Sequence, residues 1–140
     1  SFPVGRGPNR KKKNRARRNL TVFERSVLPE VTPRELAEWM QSQPELVILD
    51  VREPFEIGRA RLDDARVVYA PLSRLAAQPD PQLPPEARNT RAVIVVMCHL
   101  GMRSAQVTYW LRQIGWDQVY NLRGGIDAYA HDVDPTIGFY

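Results

Sequence analysis

A single cysteine occurs in the 140 residues, Cys98, in the segment Cys98-His99-Leu100-Gly101-Met102-Arg103-Ser104. The thiolate is the nucleophilic form of cysteine, and it is favoured where positive charge and N–H dipoles stabilise an anion. Gly101 permits a positive-φ turn, so that backbone N–H groups can converge on the sulfur. Arg103 supplies a fixed positive fork, and a helix opening near Ser104 adds unpaired N–H groups and the positive end of its dipole. Together these parts suit attack by Cys98 on an electrophile whose negative charge is held in the loop. A lone cysteine that ends an apolar strand is more often a small core residue. Here a Gly, an Arg and a helix-opening Ser within six positions serve no evident packing purpose, and they turn the reading toward a nucleophile. No second thiol is present to resolve a bond made by Cys98, and neither an intrachain disulfide nor a thiolate zinc cluster can form. His99 is read as solvent-facing and His131 as a surface residue. Two His and one Cys imply no metal site, and no cofactor is expected.

The elements that must hold this loop are visible on both sides of it. Ala92 to Met97 is a strongly apolar strand that delivers Cys98 to its carboxyl end, where open α/β sheets bind ligands. Ser104 to Ile114 is an amphipathic helix with Val107, Trp110, Leu111 and Ile114 as its apolar stripe. Upstream, Thr32-Pro33-Arg34-Glu35 has the pattern of a capping box with proline at the first helical position, and the helix runs to about Gln43. Leu46 to Leu49, ending at Asp50, suits a strand buried on both faces. A short helix is expected from Pro54, a strand at Val67–Tyr69 and a helix from Pro71 to Ala77. A surface loop is expected from Pro79 to Thr90, then a strand at Val119–Leu122. A Gly124-Gly125 turn and a helix from Ile126 to Ala130 complete the pattern. Strands alternating with helices predict an α/β domain, a parallel sheet covered on both faces.

The net charge of +4 conceals a division. Residues 1–19 carry Arg6, Arg10, Lys11, Lys12, Lys13, Arg15, Arg17 and Arg18 with no acid, giving +8, while the remaining body sums to −4. A segment of this composition buries too little apolar surface to offset its ordering entropy, so residues 1–19 are expected to form a flexible tail on a domain of residues 20–140. Arg10, Lys11, Lys12, Lys13, Arg15, Arg17 and Arg18 are candidate contacts to nucleic acid or an acidic partner. The longest uninterrupted apolar run, Ala92 to Cys98, is far short of the ~18 residues of a membrane span, so no transmembrane segment is expected. The lone thiol points to a soluble, reducing compartment. The cytoplasm and an organelle, plastid or mitochondrion, both fit, and the Arg-rich start without Met inclines the reading to an organelle.

Three segments resemble the rhodanese family of sulfurtransferases. Leu49-Asp50-Val51-Arg52-Glu53-Pro54-Phe55-Glu56 is similar to its LDVREPxE signature, and Cys98 to Ser104 to its active-site loop, C-x-x-G-x-R-S. Val119-Tyr120-Asn121-Leu122-Arg123-Gly124-Gly125-Ile126 is similar to its last strand and double-glycine turn. The matches keep the family's order over roughly Leu28 to Ala130. Ala60-Arg61-Leu62-Asp63-Asp64-Ala65 departs from the usual GHIxGA, and Tyr129 stands where Trp is common. The resemblance implies a three-layer sandwich with about five parallel strands and helices on both faces. It also implies a sulfurtransferase in which Cys98 carries a persulfide taken from thiosulfate or a persulfide donor and passes it to a thiol or cyanide. Arg103 would bind the anionic donor, His99, Leu100, Gly101, Met102 and Ser104 would form the loop, and Asp50 and Arg52 would be a salt-bridged scaffold.

Two other classes of function compete. A rhodanese-like binding or regulatory module could be attached by the basic tail to RNA or an acidic protein. A phosphatase of related fold or an arsenate reductase is the remaining class, but phosphatases need five residues between Cys and Arg to enclose phosphate. Cys98 and Arg103 bracket four.

Overall fold

Val47-Ile48-Leu49-Asp50 and Ile94-Val95-Val96-Met97 are buried at every position, as strands flanked on both faces must be. In the computed structural model, which describes residues 19–77 and 83–140, these two strands are neighbours. The sheet comprises β1 (Glu30–Val31), β2 (Val47–Asp50), β3 (Val67–Tyr69), β4 (Ile94–Met97) and β5 (Val119–Leu122), all parallel, in the order β1-β5-β4-β2-β3. Asp50 is level with Met97 across the β2–β4 ladder, so the carboxyl ends bearing Asp50 and Cys98 emerge side by side.

Among the described residues six α-helices accompany the sheet: α1 (Val22–Ser26), α2 (Pro33–Ser42), α3 (Pro54–Ile57), α4 (Leu72–Ala77), α5 (Met102–Gln113) and α6 (Gly125–Asp132). Alternate strand residues point to opposite faces. Val47, Leu49, Ile94 and Val96 pack with Leu75 of α4 and Val107, Trp110 and Leu111 of α5. Ile48, Val95 and Met97 pack with Leu36 of α2 and Ile126 and Tyr129 of α6. The result is the three-layer α/β sandwich that the sequence predicts. Thr32 and Glu35 form the expected capping box at the start of α2, each side chain accepting from the other's backbone N–H.

The structure departs from the sequence reading in several places. The helix after Cys98 starts at Met102, not Ser104, because Gly101 (φ 98°) turns the chain and serves as its N-cap. Arg103 and Ser104 therefore occupy its first turn. The segment expected to be a surface loop is partly core: Leu83 and Ala87 are buried around a 3₁₀ turn at Pro85–Ala87, and Ala87 accepts a 2.9 Å hydrogen bond from Trp116 Nε1. Residues 78–82 of that region lie outside the described residues. α1, opened by a Thr21–Glu24 capping box, and the two-residue β1 were not expected, since both are too short to show periodicity. The basic tail falls almost wholly outside the described residues, which begin at Asn19. Leu20 already packs with Leu28, Ala105 and Tyr109. Among the described residues no helix is long and apolar enough to cross a membrane.

Candidate active site

β4 hands the chain directly to Cys98, whose side chain belongs to the α5 face of the sheet and is 1% exposed. The Gly101 N–H donates to Cys98 Sγ at 3.1 Å, and Ser104 Oγ lies 3.2 Å from the same sulfur. Ser104 directs its hydroxyl proton to Asn121 Oδ1 at 2.6 Å. With that proton engaged, a Cys98 thiol is the donor to Ser104 Oγ. A thiolate would draw the hydroxyl proton back to itself. Asn121, on β5, is buried and held in this orientation because its Nδ2 donates to the Gly101 carbonyl at 3.2 Å.

The loop's peptide planes are fixed from the other side by α6. Ile126 and Asp127 N–H groups donate to the carbonyls of Cys98 and His99 at 2.9 and 3.1 Å. Across trans peptides, the N–H groups of His99 and Leu100 then point away from α6. So close an approach requires Gly125 (φ 66°), where a Cβ would stand 2.3 Å from the His99 oxygen and 2.7 Å from the Cys98 oxygen. The double-glycine turn is thus a tight contact between a helix terminus and the cysteine loop.

Charge enters through α3 and α5. Arg103 Nη1 and Nη2 donate to Glu56 Oε2 and Oε1 at 2.6 and 2.7 Å, a bidentate pair. Glu56 also accepts from the Glu53 N–H at 2.9 Å and from the Tyr140 hydroxyl at 3.0 Å. The Arg103 hydrogen bonds lead in holding the Glu56 carboxyl down at about 2 against the opposing effect of burial, and Glu56 in turn pushes the Arg103 guanidinium up. One strand over, Asp50 and Arg52 form a buried ion pair, with Nη2 to Oδ2 at 2.8 Å. Burial is the largest single influence on Arg52 and works against its charge, but the hydrogen bonds and charge of Asp50, together with Tyr140, outweigh it, so its pKa is raised. Arg52 Nη1 donates to the Tyr140 hydroxyl at 3.2 Å, which links the two ion pairs.

Of the residues expected at the site, Cys98, Gly101 and Ser104 meet at the sulfur, and Arg103 stands on the same helical turn as Ser104 but turns its fork to Glu56. Leu100 and Met102 are exposed. His99 is half-buried rather than solvent-facing: the Tyr140 ring stacks on it with centroids 3.8 Å apart, and His99 Nε2 is buried with no hydrogen-bond partner among the described residues. Asp50 and Arg52 are at the adjacent strand end. Sequence reasoning missed Glu56, Asn121 and Tyr140 as members of the cluster. Glu56 closes the LDVREPxE segment and Asn121 interrupts an apolar strand, and either could have been flagged. Nothing in the sequence marks Tyr140. Among the described residues no group of three or more His, Cys, Asp or Glu is placed to hold a metal ion. A cleft of about 550 Å³ lies at the amino ends of β2 and β4, lined by Gln43, Leu46, Arg66 and Val93, far from the Cys98 loop.

The rhodanese-like domain family model matches residues 32–132. Over 125 residues the chain is 39% identical to the rhodanese-like/PpiC domain-containing protein 12, chloroplastic, of Arabidopsis thaliana, covering 85% of this chain and 40% of that protein. It is 31% identical over 110 residues to a probable adenylyltransferase/sulfurtransferase, MoeZ, of Mycobacterium tuberculosis, covering 79% of this chain and 26% of that one. The chain thus spans less than half the length of these relatives. A rhodanese-related protein from Thermoplasma volcanium has a similar solved structure, with TM-score 0.60 and 25% identity over 75% of this chain and 93% of that one.

Proposed function

The chain belongs to the rhodanese-like domain family, and from that premise we propose that it moves sulfane sulfur through a persulfide on Cys98. The observation that carries this reading is the convergence on one sulfur of the Gly101 N–H and the Ser104 hydroxyl, at 3.1 and 3.2 Å, at the mouth of α5. A thiolate there gains a hydrogen bond from Gly101, a second from Ser104 once its proton turns, and the field of the α5 N-terminus. In the first half-reaction the Cys98 thiolate attacks the outer sulfur of a donor R–S–S⁻ or thiosulfate. The new bond joins Cys98 Sγ to that sulfur, the donor's S–S bond breaks, and R–S⁻ or sulfite leaves with the electron pair. In the second, a thiolate or cyanide attacks the outer sulfur of the Cys98 persulfide and restores the Cys98 thiolate. Arg103, on the first turn of α5 with its fork on Glu56, lends the loop positive charge only so far as that carboxylate leaves it uncompensated.

Burial of Cys98 supports a small transferred group, because the reacting atom must enter the loop itself. The four residues between Cys98 and Arg103 support sulfur over phosphate for the same reason. The mycobacterial relative, whose name includes sulfurtransferase, favours this chemistry, and the Arabidopsis relative, named chloroplastic, favours a plastid. The test is intact mass after incubation with polysulfide. Cys98 should gain one sulfur, about 32 Da, lose it to cyanide, and show no gain in Cys98→Ser. An equal gain in Cys98→Ser would overturn the proposal.

A further inference from the structure

The guanidinium that the loop could offer an anionic donor is already shared. Both Nη atoms of Arg103 lie on the Glu56 carboxylate, and that carboxylate cannot readily swing aside. Tyr140 donates to Oε1 and the Glu53 N–H to Oε2, so four hydrogen bonds fix it, and the side chain of Glu56 is 7% exposed. Toward the loop, Arg103 and Glu56 act as a nearly neutral pair.

The two kinds of sulfur donor differ in what they require of that pair. Thiosulfate brings two negative charges, and both remain on the sulfite that leaves. An organic persulfide brings one, on the sulfur that is transferred, and its leaving thiolate is attached to a carbon chain. The exposed residues nearest the pair in sequence are apolar: Phe55 adjoins Glu56, and Leu100 and Met102 flank Gly101 in the loop. They offer nothing to a sulfonate and suit a carbon chain. Arg25 reaches the rim, with Nη1 2.9 Å from Met102 Sδ, but it is solvent-exposed and its charge is screened.

We infer that Glu56, braced by Tyr140, is a positioning residue that selects the donor by charge, holding Arg103 so that the site takes monoanionic organic persulfides in preference to the thiosulfate dianion. The inference rests on the sulfur-transfer reading above. Neutralising Glu56 would leave Arg103 uncompensated and free to turn toward the donor, and a dianion gains twice the electrostatic free energy of a monoanion at the same distance.

The experiment compares steady-state kinetics with thiosulfate and with 2-hydroxyethyl persulfide for the wild type, Glu56→Gln and Tyr140→Phe, with cyanide as acceptor. Glu56→Gln keeps an acceptor for the Glu53 N–H and so retains the local cap. It should lower the thiosulfate KM by about tenfold and the persulfide KM by about threefold, with kcat changing less, so that selectivity moves toward thiosulfate. Tyr140→Phe, which deletes the brace together with one acceptor of Arg52 Nη1, should move the ratio the same way by a smaller factor. A merely structural role would lower kcat for both donors together and leave their ratio unchanged. Turnover with both donors at an unchanged ratio in both variants overturns this inference alone. No sulfur on Cys98 from either donor overturns the sulfur-transfer reading and this inference with it.

Discussion

Replacing Gly125 by alanine isolates the contact between α6 and the cysteine loop. At φ 66° a Cβ is disfavoured by about 1–2 kcal/mol for the backbone conformation alone. Here the added atom would also stand 2.3 Å from the His99 oxygen and 2.7 Å from the Cys98 oxygen, which are backbone atoms with no side-chain freedom to yield. Relief requires the loop and α6 to separate, which stretches the hydrogen bonds from Ile126 to Cys98 and from Asp127 to His99. Each is worth about 1 kcal/mol, so the expected loss of stability is about 3–4 kcal/mol. For a domain of this size that is roughly 10–15 °C in melting temperature. The control is Gly115→Ala, at φ 120° with nothing within 4 Å of the added Cβ, which carries the conformational cost without the collision. Urea unfolding of both variants measures the difference. Sulfur loading of Cys98, followed by mass at a temperature where both are folded, measures the effect on the site. Because a shift of about 1 Å in a reacting group can cost on the order of 100-fold, Gly125→Ala should load far more slowly than Gly115→Ala. If the two variants were equally stable and loaded at equal rates, the claim that α6 aims the cysteine loop would be wrong.

Two further outcomes follow from the ion pairs. Asp50→Ala strands the fully buried Arg52 charge and should cost about 3–5 kcal/mol in urea unfolding, most of it recovered in the double variant Asp50→Leu/Arg52→Met. A loss below about 1 kcal/mol for the single variant would mean that Arg52 finds water or another partner. The Glu56 carboxyl lies at about 2 in the folded protein against an ordinary 4.5, so the unfolded chain takes up its proton first as pH falls. The stability contributed by ionised Glu56 is therefore complete above pH 4.5 and lost as pH falls toward 2. The difference in melting temperature between the wild type and Glu56→Gln should shrink across that window, and a difference constant over it would contradict the assignment.

What the sequence made legible is what a short segment must do by itself. The Thr32–Glu35 box, the strands β2 and β4 with every residue buried, and the stripe of Val107, Trp110 and Leu111 all follow from spacing, and the structure contains them. So does the placing of Cys98 at a strand end before a helix. Two segments differ from their sequence pattern, each for a physical reason. The sequence marks Gly101 as a turn residue, and at φ 98° it also caps α5, which brings Arg103 and Ser104 into the helix. The prolines of the 79–90 segment signal a surface loop, whereas Leu83 and Ala87 are buried because Trp116, distant in sequence, packs there.

The site's polar pairing is of another kind, because it joins segments that have no periodic relation. Arg103 meets Glu56 across 47 positions and Glu56 meets Tyr140 across 84, and neither separation leaves a trace in the spacing of residues. An arginine in a cysteine loop announces a positive charge, but whether that charge is available depends on which carboxylate packing brings to it. Glu56 reaches Arg103 because β2 and β4 are adjacent and parallel, so that the turns leaving their carboxyl ends, α3 and α5, must pass close to each other. Sheet order thus decides the electrostatics of the loop. The same argument explains His99, whose exposure was set not by its own neighbours but by the return of Tyr140 over the strand ends.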